Sequence, residues 1–181
     1  MYVVRSLLYV AYSPYLQTGH EYAGRSSAPG SFTIWTGHLD TTELIPNFTP
    51  VGCSASSSNP VIAAGPAVDV QQLYAAGAQY NVTTIGGFTP SVGATGGYII
   101  GGGTGAFSAK YGLGVDSEYL KHLTVKSLTA FEDVLQFDVV LANGTQTSAN
   151  ACQNPDLFWA MRGGGGVFGV HTKVYIKAHP P

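Results

Sequence analysis

His20 stands in the stretch LQTGHEYAGRSSAPG, among glycines and serines. An imidazole can serve as a base, a metal ligand or a nucleophile, and its surroundings decide which. A core histidine would have apolar neighbours, and a metal ligand would have other ligands close by. His20 has neither. His38, His122, His171 and His179 stand apart from it and from any cysteine or carboxylate at ligand spacing, so no metal site is expected. Ser26 and Ser27 lack the strand-turn-helix pattern of a nucleophile elbow. A loop histidine is most often a surface residue, so His20 needs a second feature to acquire meaning.

That feature is VGATGGYIIGGGTG, residues 92–105, with seven glycines in fourteen positions. Glycines leave backbone N–H groups unshielded and admit a ligand close to the chain, and phosphate is the usual guest. A Walker A loop fails here, because no Lys-Ser or Lys-Thr follows a glycine at the required spacing. The dinucleotide fingerprint survives only as Gly101-x-Gly103-x-x-Ala106, and FSAKYGLG after it makes no long helix. Glycines serving tight turns remain the competing reading.

Several elements must position these features. SFTIWTGHL alternates and predicts a strand, and PVIAAGPAV predicts another, with Gly65-Pro66 at a kink or an edge. Asp69 caps a helix through VQQLYAAGAQY. LQFDVVLA and TQTSA form a hairpin across Asn143-Gly144. Pro155 opens the short helix PDLFWAMR, which Gly163–Gly166 ends, and VFGVHTKVYIKAH is a final strand. Strands and short helices without βαβ regularity predict an α+β fold.

The 181 residues are 45% hydrophobic and only 10% charged, whereas about 25% is usual. A net charge of −2 without a basic stripe argues against a nucleic-acid partner, and none is expected. No apolar run reaches the roughly 18 residues of a membrane span. A neutral, glycine- and aromatic-rich chain suits a flat organic ligand. Cys53 and Cys152 allow one disulfide at most and leave the compartment open. Three glycosylation triplets, at Asn47, Asn81 and Asn143, are compatible with secretion, although Pro50 weakens the first. MYVVRSLLYVAYSPYLQ makes a poor signal peptide.

Taken in order, TGHEYAGRSSAPGSFTIWTGHL, TPSVGATGGYIIGGGTGAFSAKYGLGVD and ACQNPDLFWAMRGGGGVFGVHTKV resemble the FAD-linked oxidases of the vanillyl-alcohol-oxidase and berberine-bridge-enzyme type, fungal members above all. The resemblance covers most of the chain from Thr18 onward. It implies a PCMH-type FAD-binding domain over residues 18–181, incomplete, with the substrate domain absent. It implies FAD joined covalently to His20, whose neighbours Gly19 and Gly24 are small enough to admit the ring system. Thr18, Gly19, Glu21 and Tyr22 would cradle the pyrophosphate, where free N–H groups favour negative charge. Ser91, Val92, Gly93, Gly96, Gly97, Gly101, Gly102, Gly103 and Gly105 match the family's stretch beside the flavin and its phosphates, and Val170 matches a backbone contact near the adenine. Thr89 occupies the position of the cysteine that makes a second link in many plant relatives. A hydroxyl cannot replace that thiolate, so a single link is expected.

Two segments depart from the pattern. Residues 1–17 have no family counterpart, and Ser117–Asp133 interrupts the family's "YGLxxDNVLxFxVV". The second is either a tolerated surface insertion or a retained intron. Ser117-Glu118-Tyr119 can be encoded AGT GAG TAT, which holds a GTGAGT donor, and Glu132-Asp133 as GAA GAT holds an acceptor. Excision would leave AAT, asparagine, and restore VDNVLQF. Tyr15-Leu16-Gln17 can likewise end in an acceptor, CAG, which makes residues 1–17 a translated intron on the same reading.

The resemblance implies an oxidoreductase that takes hydride from an alcohol-like or carbohydrate substrate, passes electrons to O2 and is secreted. No catalytic base is named by it, because the domain that usually supplies one is missing. Two other readings stand beside it: a catalytically inactive truncated fragment of such an enzyme, and a secreted binding module without cofactor.

Overall fold

The computed structural model describes residues 8–9, 19–23, 32–53, 60–114 and 133–181. Two short parallel strands, β1 (Leu8–Tyr9) and β2 (Phe32–Thr33), form a separate ladder. The main sheet has five antiparallel strands in the order β3-β4-β7-β5-β6. They are β3 (Thr42–Ile45), β4 (Val61–Ala64), β5 (Val134–Val140), β6 (Gln146–Asn150) and β7 (Val170–Lys177). Helices and a mostly antiparallel sheet make the fold α+β, as the sequence predicts.

Helix α1 (Val70–Tyr80) begins as its sequence dictates. Asp69 accepts the Gln72 N–H at 2.7 Å while Gln72 accepts the Asp69 N–H at 2.9 Å, a reciprocal cap that satisfies two otherwise orphaned donors. Its Leu73 and Ala76 pack with Phe158 and Met161 of α3 (Pro155–Met161) on one face of the sheet, against Ile62, Phe137, Val174 and Ile176. These apolar side chains leave water together, and that burial is the main stabilising term.

The other face of the sheet carries a hydrogen-bonded network. Asp138 accepts from Gln136 Nε2 at 2.8 Å, Ser148 Oγ at 2.9 Å and Tyr175 OH at 2.8 Å. Gln136 Oε1 in turn accepts the Val51 N–H at 2.8 Å, and Phe48 stacks on Tyr175 at 4.4 Å. The segment after β3 is thereby fastened to β5 and β6, and a Cys53–Cys152 disulfide spanning 99 residues locks the same junction. Closing a loop of that length stabilises by on the order of 4 kcal/mol in the chain-entropy account.

Three expectations are corrected. SFTIWTGHL is not a nine-residue strand: only Phe32–Thr33 pairs, and the chain then turns at Gly37 and His38. The alternation reflects the packing of a turn, in which the Trp35 ring meets His38 at 4.5 Å. The last strand starts at Val170, because Gly169 lies against Val140 O and Val139 and the residues before it form turns. β4 ends at Gly65 as expected, but it lies between β3 and β7 rather than at an edge.

His171, on β7, is 5% exposed, and its Nε2 has no hydrogen-bond partner among the described residues. Burial lowers its pKa from 6.5 to about 4. Between those values the unfolded chain binds the proton and the folded chain does not, so stability rises with pH across that interval. The contribution is complete above pH 6.5 and is lost as the pH falls through 4. Urea titrations across that range should show a loss of about 3 kcal/mol, and a His171→Asn variant should flatten the pH dependence.

Candidate functional site

The candidate site forms where two distant stretches meet. Gly19 donates its N–H to Ser91 O at 3.2 Å, and His20 Nε2 lies 2.9 Å from Ser91 Oγ. Gly19 has φ +113, a conformation that L side chains rarely adopt, and it packs over the backbone of Gly93. A glycine before the histidine is therefore what lets the chain turn at this point and present the imidazole. His20 itself is exposed, as are Glu21 and Tyr22. Glu21 Oε1 accepts the Ala23 N–H at 3.0 Å, which holds the turn that follows.

Beneath His20, the glycine-rich stretch is anchored at several points. Val70 N–H donates to Val92 O at 2.9 Å and Ala94 N–H to Val68 O at 2.9 Å, so the start of α1 and the turn leading into it set its start. Thr95 Oγ1 donates to Gly65 O at 2.6 Å inside the core. Residues Ala94–Ile99 then form a π-helix, with Tyr98 N–H donating to Gly93 O at 2.9 Å. The sequence offers a backbone nest or tight turns here, and neither reading anticipates a π-helix. A π-turn is rare and recurs at functional sites.

The Tyr98 ring supports the second half of the stretch, lying against Gly87, Gly103 and Gly114. Burial, followed by the charges of Tyr74 and Asp133, pushes its phenol well above the usual range, so it stays neutral. At Gly105 the backbone passes so close to Gly86 that a Cβ would stand 1.9 Å from Gly86 O. Only glycine fits. Short helix α2 (Ser108–Tyr111) follows, and Tyr111 stacks on His179 at 3.9 Å. His179 Nε2 lies 2.6 Å from the buried Asp133 Oδ1, a pair that the sequence gives no signal for.

A fit test for a flat cofactor with phosphates rests on open space. A Cβ at Gly97 or at Gly102 would have nothing within 4 Å, so the surface above both is clear. Gly96, Gly101 and Gly103 flank those positions, and the exposed His20 approaches the same stretch at Ser91. The residues present fit such a group.

Of the expected site residues, Gly19–Tyr22, Ser91–Gly93 and Gly96–Gly105 share this region, while Thr18 lies outside the described residues. Val170 is placed separately: it opens β7 opposite Val140. The loop leading to it is nevertheless tied to the glycine stretch, because Gly163 and Gly165 donate their N–H groups to Ile100 O at 2.9 and 3.0 Å. Thr89 is exposed two residues before Ser91. Ser91→Ala should leave the fold unchanged but free the His20 ring, and crystallography or NMR of the imidazole should show it sampling more than one orientation.

No protein-family model matches the chain. A FAD-linked oxidoreductase of Phaeosphaeria nodorum is 40% identical over 164 residues, which is 90% of this chain and 34% of the relative. Aurantioclavine synthase of Penicillium expansum is 42% identical over 165 residues, again 90% of this chain and 32% of the relative. A VAO-type flavoprotein of Myceliophthora thermophila superposes with a TM-score of 0.75 at 29% identity, covering 96% of this chain and 28% of that structure. The fold is thus that of the cofactor-holding region of VAO-type flavoproteins. The chain belongs to the FAD-linked oxidase family and spans about a third of the length of the curated relatives it matches.

Proposed function

We propose that this chain is the flavin-holding part of an FAD-linked oxidoreductase, with FAD attached through His20 alone. The observation that carries the reading is the meeting of His20 with Ser91 at the start of the glycine stretch. His20 would hold the flavin through its imidazole, which Ser91 Oγ orients from 2.9 Å. Gly97 and Gly102 would leave the backbone open to the ring system and its phosphates, and Val170 would hold the adenine end. FAD supplies the hydride-accepting chemistry, and the protein supplies binding and orientation. Thr89 cannot make the second link of a cysteine. The whole enzyme takes hydride from an alcohol-like or carbohydrate small molecule and passes electrons to O2, in an oxidising compartment that suits the Cys53–Cys152 bond.

The test is peptide mapping. The tryptic peptide holding His20, residues 6–25, should carry the mass of FAD, and the peptide holding Thr89 should not. An unmodified residue 6–25 peptide from flavin-loaded protein contradicts the reading.

A second part of the proposal concerns Ser117–Asp133, which lies outside the described residues except for Asp133. The flanks of this segment come to one place: a Cβ at Gly114 would stand 3.5 Å from Tyr98 Cε1, and the charge of Asp133 acts on the Tyr98 phenol. Excision of a retained intron would join Asp116 directly to an asparagine at position 133. The mature transcript should lack the codons for 117–132, and a protein without them should keep its thermal midpoint. A mature transcript containing them overturns the intron reading.

A further inference from the structure

We propose that Asn143 and Asn81 are N-glycosylation sites, and that Asn47, in the third triplet, is not. All three sit in the acceptor pattern of an asparagine followed two residues later by threonine. The structure separates them. Asn143 lies at the tip of the β5–β6 hairpin, where residues 142–146 are all exposed. Its Oδ1 accepts the Thr145 N–H at 3.0 Å, so the triplet is already folded over itself, with the threonine brought to the carboxamide. Gly144 takes φ +83 and leaves the tip narrow.

Asn81 is the exposed C-cap of α1, in the left-handed conformation at φ 53. The helix end is held by backbone bonds, with Asn81 N–H donating to Ala78 O at 3.3 Å, and Asn81 is exposed. A glycan at either position extends into solvent.

Asn47 differs in two ways. Phe48, the middle residue of its triplet, is 8% exposed and stacks on Tyr175. Thr49 precedes Pro50, which holds the residue before it in extended backbone and prevents the threonine from closing over Asn47. The independent support is the disulfide. Cys53 and Cys152 pair, which places maturation in an oxidising compartment such as the secretory lumen, where oligosaccharide transfer takes place.

The co-reactant is an oligosaccharide on a polyprenyl diphosphate. Asn Nδ2 forms a bond to the anomeric carbon of the terminal N-acetylhexosamine, the bond from that carbon to the diphosphate oxygen breaks, and the lipid diphosphate leaves. One Nδ2 proton passes to a base of the transferase, and nothing is oxidised or reduced.

The experiment directs the full chain into the secretory lumen of yeast and analyses all lumenal chain, so that folding yield does not bias the result. Enzymatic release of the glycans converts each modified asparagine to aspartate, which mass spectrometry locates. Asn81 and Asn143 should convert, and Asn47 should remain asparagine. Asn143→Gln and Thr145→Ala should each remove one glycan-sized step in mobility, while Thr145→Ser should retain it. An unmodified Asn143 or Asn81 in disulfide-bonded lumenal chain, or a modified Asn47, overturns the proposal.

Discussion

Replacing His20 with alanine is expected to abolish covalently held flavin completely while leaving the fold unchanged. The imidazole is exposed and bonds Ser91 Oγ at the surface, so its removal uncovers no core. Substitutions at such surface positions shift stability by about 0.5 kcal/mol or less. The chemical effect is all or none, because the single-link reading leaves no other attachment point: Thr89 is a hydroxyl, and both cysteines are spent in the Cys53–Cys152 disulfide. Absorbance of the denatured variant should therefore show no flavin, while its far-UV circular dichroism and thermal midpoint match those of the parent. Flavin retained by the denatured variant would assign the link elsewhere.

The second large effect is structural and falls at Gly105. Gly105→Ala places a methyl group 1.9 Å from Gly86 O and 3.0 Å from Tyr98 OH. The first obstacle is backbone and cannot rotate away, so either the segment at 86–87 or the glycine stretch must move. Overpacking of this kind costs about 3 kcal/mol. The displaced elements are those that present the open surface at Gly97 and Gly102, so cofactor retention should fall together with stability. Denaturant titration of Gly105→Ala beside Gly97→Ala separates the two effects. Gly97 has open space above it, so its variant should keep its stability and lose only cofactor affinity.

Local signals made some of the architecture readable from sequence. Asp69 and Gln72 announce the start of α1, Asn143-Gly144 announces the hairpin, and Pro155 with Gly163 brackets α3, because each motif satisfies or forbids backbone hydrogen bonds within a few residues. What was not legible depends on distant partners. The π-helix at Ala94–Ile99 is set by bonds to Val68 and Gly65, and nothing in its own residues distinguishes it from a run of turns. The Asp133–His179 pair joins positions 46 apart that the sheet alone brings together. Strand β3 is short and half-exposed, too brief for its alternation to stand out from the loop around it.

The site shows the same division. His20 and the glycine stretch could be singled out from residue type, and the order of motifs connected them to FAD-linked oxidases. Their physical meeting through Ser91 is a property of the fold, since 71 residues separate His20 from its partner. Tyr98 escaped notice because an aromatic residue among glycines reads as packing. Its role as the floor under Gly87, Gly103 and Gly114 requires the three segments to be folded together.

The central claim is that His20 holds flavin covalently in this chain. It is tested most directly by the visible spectrum of the purified 181-residue protein before and after acid precipitation. The account predicts flavin absorbance that stays with the precipitated protein. Yellow colour released into the supernatant, with a colourless pellet, would contradict it.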